Sequence, residues 1–373
     1  MAKKVFRADH VGSFLRPAEL KTVRTDFKAG RISPEELAAV EDRTIREIVK
    51  LQQDVGLKTI TDGEFRRDSW SGDFLTAIHN VSTRPSTLSV KFHSKEGEFE
   101  HTPPGFYVDG KLELKDGIFI DHFMALKKMV APGMTPKLSI PSPTMLHFRA
   151  GREGVSREAY PQMQDFYDDV ARIYQEEIEA VAATGCELLQ IDDTNWAYLC
   201  DDKLRDDVRS FLKEEPDQVA RTYAKLINAS IAKRPRDMTI YMHVCRGNSG
   251  SMWVAEGGYD PVAEVLFNEM DIDGYLLEWD TDRAGDFKPL RFVPKGKIVV
   301  LGLVSSKFPE LESKDDLKRR IDEAARFVPL EQLAISPQCG FSSNQKGNQI
   351  SEDDQRRKLE RVVEVATEVW GGV

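Results

Sequence analysis

The sequence predicts an α/β fold: a single (β/α)8 TIM barrel over residues 1–373, with a β-hairpin inserted after the second strand. Three observations carry that expectation. Eight short β-branched or apolar runs recur at 5–11, 58–61, 137–140, 188–191, 239–242, 275–277, 298–301 and 333–335. Amphipathic stretches of helical period lie between most of them, and alternation of strand and helix implies parallel strands. No linker, internal repeat or low-complexity tract marks a second lobe in the 373 residues, and a barrel of this kind needs roughly 250 residues before insertions.

The elements follow in order. The first run leads into Asp9-His10-Val11-Gly12-Ser13-Phe14, a polar exit from an apolar strand. The helical stretch 34–55 opens with Ser33-Pro34-Glu35-Glu36, an N-cap, a first-turn proline and two acids that suit the helix dipole. Further helices are expected at 160–184, 216–233, 261–270 and 313–327, the last opening with Ser313-Lys314-Asp315-Asp316, and a terminal one at 351–370. Two segments break the rhythm. Residues 82–120 hold Gly, Pro and alternating strand-like residues such as Gly110-Lys111-Leu112-Glu113-Leu114, which read as the inserted hairpin. The connection from Trp279 to Lys297 is too short and too rich in Pro and Gly for a long helix.

Composition excludes several functions. The 52 basic against 62 acidic side chains give a net charge of −10, and the chain has a pI near 5.4. With no Lys/Arg block, it lacks the positive footprint that nucleic acids or anionic membranes require. A mean hydropathy of −0.43 and 40% hydrophobic residues suit a buried core under a solvated surface. No transmembrane run is present, and Met1-Ala2-Lys3-Lys4-Val5-Phe6-Arg7 has no apolar stretch behind its charges, so a cytoplasmic protein without a signal peptide is expected. Four cysteines, Cys186, Cys200, Cys245 and Cys339, are too sparse for a disulfide scaffold and read better as metal or catalytic groups.

A barrel of this type places its active site where the strands end. The fifth run ends in Tyr241-Met242-His243-Val244-Cys245, and residues i and i+2 of a strand point the same way. Alone, that pair reads as a packed histidine beside a buried cysteine. Glu278, however, closes the apolar sixth run, where a carboxylate is costly without a cation or metal. The eighth run exits through Ile335-Ser336-Pro337-Gln338-Cys339-Gly340, adding a second cysteine to the same rim. Nitrogen, sulfur and oxygen donors together suit Zn2+ better than Mg2+ or Ca2+, with iron a second choice. The four residues come from three strands, unlike the close pairs of a zinc finger, which points to catalysis over a structural zinc or no metal at all.

These residues, with Asp62-Gly63-Glu64 and Gln190-Ile191-Asp192-Asp193, resemble the cobalamin-independent methionine synthase family, in particular its short single-barrel members and the catalytic C-terminal barrel of its long ones. The likeness covers nearly the whole chain. It implies that His243, Cys245, Glu278 and Cys339 bind catalytic zinc, which takes up the thiol of homocysteine and readies it for methylation to methionine. It also implies that Gly12 and Ser13 meet the substrate carboxylate while Glu64 and Asp192 hold its ammonium. Without the likeness, an ion pair with Arg66 or Arg67 is an equal reading of Glu64. His10 is a core histidine or a proton-handling group, with the strand end favouring the site. Asp193 is expected behind the first contacts, and Cys186 and Cys200 are expected to be inert.

The sequence also departs from the family. The long members carry an additional N-terminal barrel associated with their folate polyglutamate, and no such barrel is expected within these 373 residues. Where the family has a catalytic histidine after the seventh strand, the chain reads Leu303-Val304-Ser305-Ser306-Lys307. The loop that supplies an aromatic platform for the pterin reads Ser142-Pro143-Thr144-Met145-Leu146-His147-Phe148, without a tryptophan. The methyl donor therefore stays open among methyltetrahydrofolate, a methylated corrinoid protein and another activated carbon. Two other functions compete: a zinc-thiol alkyltransferase of the epoxide:thiol kind, and a non-catalytic barrel that binds metal or an amino acid.

Overall fold

The computed structural model describes residues 4–86, 89–94 and 97–373. Residues 1–3 of the expected barrel, and residues 87, 88, 95 and 96 of the expected insertion, lie outside that description. Eleven strands are present among the described residues: β1 (Thr59–Ile60), β2 (His79–Pro85), β3 (Val90–Ser94), β4 (Gly97–His101), β5 (Pro104–Glu113), β6 (Thr135–Pro141), β7 (Leu188–Asp193), β8 (Thr239–Val244), β9 (Gly274–Glu278), β10 (Ile298–Val304) and β11 (Leu333–Pro337). Seven of them form one curled parallel sheet in the order β1–β6–β7–β8–β9–β10–β11. All seven are buried along their length except at Pro136 of β6, which is half-buried, as expected when both faces of a parallel sheet are covered.

The parallel sheet thus holds seven strands where the sequence pattern suggests eight. The first run contributes only an isolated parallel bridge, Ala8 to Ile335, with Asp9 N–H donating to the Ile335 carbonyl at 3.0 Å. Its link to β1 runs through side chains: Thr59 Oγ1 donates to Asp9 Oδ1 at 2.7 Å, and His10 Nε2 lies 3.0 Å from the Thr59 carbonyl. Asp9 and His10 bond across the gap with their side chains, so no backbone ladder forms there. Inside the sheet's concave face, Lys137 Nζ pairs with Asp9 at 2.8 Å and reaches Gln190 Oε1 at 3.1 Å, both charges fully buried. Apolar side chains of β7, β8, β9, β10 and β11, namely Leu188, Tyr241, Leu276, Val300 and Ala334, cluster separately from the core beneath the helices.

The main covering helices are Pro34–Asp54, Met163–Ala183, Pro216–Ile231, Lys314–Ala324 and Glu352–Trp370. The first begins in a capping box: Ser33 accepts from Glu36 N–H while Glu36 accepts from Ser33 N–H at 2.8 Å. Such caps satisfy end donors that have no partner within the helix. Short turns at Asp282–Ala284 and Lys288–Phe292 occupy the Pro/Gly-rich connection after β9.

Between β1 and β6 the chain makes two antiparallel ribbons. β2 pairs with β5, with Val81 opposite Val108, and β3 pairs with β4, with Phe92 opposite Phe99. The Gly110–Glu113 stretch lies on β5 against β2, so it is not half of a local hairpin. No helix among the described residues is long and apolar enough to cross a membrane.

Candidate metal centre and amino-acid pocket

Four side chains from three strand ends meet at one rim. His243 lies near the end of β8 and Cys245 directly after it, Glu278 is the last residue of β9, and Cys339 follows β11 by two residues. One ligand-type atom from each lies within 4.8 Å of all the others, and all four residues are buried. His243 Nδ1 sits 3.1 Å from the Leu276 carbonyl. A carbonyl only accepts, so Nδ1 carries a proton, and Nε2 is the ring nitrogen whose lone pair a bound cation would take once any proton on it is displaced. That Nε2 is buried and has no hydrogen-bond partner among the described residues.

Electrostatics reinforce the geometry. Cys245 Sγ lies 3.4 Å from Cys339 Sγ. The hydrogen bond between them holds the Cys339 pKa well below that of a free thiol and raises that of Cys245. Burial opposes a charge on His243, but the Cys339 sulfur and the carboxylates of Asp192 and Glu278 outweigh it and raise its pKa to about 9. Burial would also raise the Glu278 pKa, yet Lys307, Arg283 and His243 hold it below the usual range. Glu278 Oε1 accepts from Arg246 N–H at 2.7 Å, and Oε2 lies 3.4 Å from Arg283 and 3.3 Å from Gln338 Nε2. The cluster thus gathers two sulfurs, a carboxylate oxygen and an unpaired imidazole nitrogen in one buried spot.

A small pocket opens beside it, lined by Ser13, Glu64, Trp70, Asp192, His243, Cys245 and Cys339, with Asp193, Thr194, Asn248 and Ser343 around them. Its volume is about 40 Å3. Gly12 stands just behind the lining with φ 131°, where a Cβ would come within 3.8 Å of Glu64 Oε1. Glu64 has φ 61°, a left-handed conformation unusual outside glycine. Burial raises its pKa against the pull of Arg67 and Arg16. Glu64 Oε1 accepts from Ser139 Oγ at 3.1 Å, whereas Oε2 is buried without a hydrogen-bond partner. The ion-pair reading of Glu64 is met only loosely: Arg67 stands 3.9 Å away over the Phe119 ring, and Arg66 is engaged by Glu41 and Asp42. Asp192 accepts from Gln190 Nε2 at 2.7 Å, and burial pushes its pKa up to about 7.

Other sequence candidates lie elsewhere. His10 bonds to Thr59 away from this lining, and burial then Lys137 push its pKa down to about 3, so it belongs to the interior of the sheet. Asp193 caps the turn after β7, accepting from Asn195 N–H at 2.5 Å and Trp196 N–H at 3.2 Å, and it also touches the pocket. Cys186 and Cys200 are buried apart from the cluster, with burial raising their pKa values to about 12 and about 11. Asn248, Thr194 and Ser343 were not singled out from the sequence. They sit on loops, where no periodicity announces which side chain turns inward.

Comparison with known proteins bears on this rim. Residues 6–368 match the family model described as the catalytic domain of cobalamin-independent synthase. Bacillus subtilis YxjH is 42% identical over 369 residues, covering 99% of this chain and 96% of that protein. A crystal structure of a candidate vitamin-B12-independent methionine synthase from Listeria monocytogenes aligns with TM-score 0.78 and 36% identity, over 100% of this chain and 99% of its own. A 5-methyltetrahydropteroyltriglutamate–homocysteine methyltransferase from Bacillus licheniformis is 20% identical over 97% of this chain, which spans 42% of that longer protein.

Proposed function

Because the chain belongs to the cobalamin-independent methionine synthase family through its catalytic domain, we propose that it is a zinc-dependent S-methyltransferase that converts homocysteine to methionine with a methylfolate as donor. The observation that carries this reading is the buried His243, Cys245, Glu278 and Cys339 cluster at the edge of a pocket that also holds Glu64 and Asp192. The donor set fits zinc: two sulfurs, one carboxylate oxygen and the unpartnered His243 Nε2. Bound there, the ion lowers the thiol pKa of homocysteine from its free value near ~8.5, so that the sulfur is a thiolate at neutral pH.

The protein's own residues do the rest. Glu64 and Asp192 hold the substrate ammonium, which brings a close cation to two buried carboxylates, Glu64 having Arg67 only at 3.9 Å. Ser13 and the Gly12 turn meet the carboxylate end. The Leu276 carbonyl keeps the His243 lone pair aimed at the cluster, and Arg246 N–H with Arg283 and Gln338 fixes Glu278. The homocysteine sulfur then forms a bond to the donor's methyl carbon as the carbon–nitrogen bond breaks, its electron pair staying on the pterin nitrogen, which takes up a proton. In this reading residues 1–373 work as a single TIM-like barrel unit in the reducing cytoplasm, which keeps Cys245 and Cys339 reduced and able to bind the ion. Paired carboxylates favour an amino-acid thiol over a sulfonate-bearing one.

The test is incubation of zinc-loaded protein and homocysteine with methyltetrahydrofolate, its polyglutamate and methylcobalamin in separate reactions. Methionine is expected with the folates. Methionine from methylcobalamin alone would displace the folate donor. Turnover of 2-mercaptoethanesulfonate in preference to homocysteine would favour a different zinc-thiol transferase. Homocysteine binding without product from any donor would leave a binding protein.

A further inference from the structure

A second cavity, of about 630 Å3, lies between the β3–β4 ribbon and the loops that follow β8, β10 and β11. That volume falls within the range of small-molecule sites. One wall is aromatic. Phe92 and Phe99 stand directly opposite each other across the ribbon, which puts both rings on one face, and both line the cavity. Phe99 is 49% exposed, a large ring left open to the cavity. The ribbon is held in place by His93 and Trp253, whose backbones exchange hydrogen bonds of 2.7 and 3.1 Å.

The other wall is cationic. Lys307 and Lys346 line it, and neither makes an ion pair among the described residues. Lys307 Nζ donates only to neutral oxygens, Asn248 Oδ1 at 3.0 Å and the Gly247 carbonyl at 3.4 Å. Lys346 is exposed and folds over Gly250, its Nζ 3.1 Å from where a Cβ would stand. Glu100 is the single acidic residue of the lining, and it accepts from Ser89 Oγ at 2.8 Å. Within the lining two ammonium groups stand against one carboxylate; the buried Lys307 also faces Glu278, so the exposed Lys346 is the cation open to a ligand. The partition between this chamber and the amino-acid pocket is the Lys307–Asn248 pair, since Lys307 lines one and Asn248 the other, with Asn248 Nδ2 donating to the Gly340 carbonyl at 2.7 Å.

We propose that this chamber receives the second substrate, an anionic ligand with a flat aromatic body, the rings stacking on Phe92 and Phe99 and the carboxylate tail meeting Lys346. The assignment rests on the methylfolate reading above and adds where that donor sits. The β3–β4 ribbon builds the aromatic wall, and the donor reaches the thiol pocket across Asn248.

The test is titration of zinc-loaded protein with 5-methyltetrahydrofolate, read by calorimetry, for the wild type and for Phe99→Ala, Lys346→Glu and Lys346→Arg. Phe99 and Lys346 are solvent-exposed, so the fold tolerates their change. Phe99→Ala and Lys346→Glu are each expected to weaken donor binding about tenfold or more, as loss of an aromatic anchor or a charge pair does. Lys346→Arg should bind as wild type, and homocysteine affinity and zinc content should stay unchanged in all three. Wild-type affinity for the folate in both Phe99→Ala and Lys346→Glu, or no binding by the wild type, would overturn the chamber's assignment. Methionine formation in the same preparations is scored separately: binding lost in the variants without any methionine from the wild type would sink the proposed reaction while leaving the chamber's assignment standing.

Discussion

At the scale of single residues, the cluster works because each member has a second bond that fixes its direction. His243 is aimed by the Leu276 carbonyl, Glu278 by the Arg246 amide, and Cys245 and Cys339 lie 3.4 Å apart. Removing one sulfur leaves three donors in a cavity shaped for four. Cys245→Ser and Cys339→Ser are therefore expected to lose most of a zinc content of about one per chain, measured by atomic absorption after dialysis; full occupancy in both variants would refute the centre. Glu64→Ala separates the two halves of the site. Losing a charge-assisted contact of about 1.5–3 kcal/mol should raise the KM for homocysteine about 10- to 100-fold with zinc retained; loss of the metal instead would move Glu64 to the centre. His243, Cys245, Glu278 and Cys339 could be read from the sequence because strand ends are marked by apolar runs on one side and polar exits on the other. Asn248, Thr194 and Ser343 could not, because a loop side chain's direction is set by tertiary contacts.

At the scale of elements, the first run shows where pattern reading fails. Residues 5–11 have the composition of a strand, yet Asp9 and His10 bond sideways through their side chains, and the run pairs with β11 at a single bridge. A propensity pattern sees apolar periodicity and cannot see that two polar side chains replace a backbone ladder. The ribbons at 79–113 carry the same lesson: alternation marks residues as extended, but partner choice, β2 with β5 and β3 with β4, depends on contacts far apart in sequence. The loop after β11 shows a tight dependence between elements. A Cβ on Gly340 would stand 2.0 Å from the Ser13 hydroxyl and 3.4 Å from the Ser13 carbonyl, so any side chain there drives the two loops apart. Gly340→Ala is expected to cost about 1–3 kcal/mol of stability and to weaken homocysteine binding, because Ser13 lines the pocket. A urea midpoint and a homocysteine Kd both equal to wild type would show that the loops yield without consequence.

At the scale of the whole molecule, burial of neutral histidines ties stability to pH. His147 sits in the short helix Met145–Phe148, its Nδ1 2.9 Å from the Tyr223 hydroxyl, and burial, with Arg152 adding to it, pushes its pKa down to about 4. The unfolded chain takes up that proton near ~6.5. Between those two values acid protonates only the unfolded form, so stability that is whole above pH ~6.5 drains away as the pH falls toward 4. His10, with its pKa near 3, extends the same trend further into acid. His147→Gln isolates one proton from this total. The variant is expected to be less stable than wild type at neutral pH, since the Tyr223 contact is altered, and the gap between the two should narrow by about 2 kcal/mol from pH ~7 to pH ~5. Losses of metal at low pH affect both proteins alike and cancel in that difference. Urea unfolding at matched pH values reads it directly, and a gap that stays constant across the window would mean that His147 is protonated equally in the folded and unfolded chain.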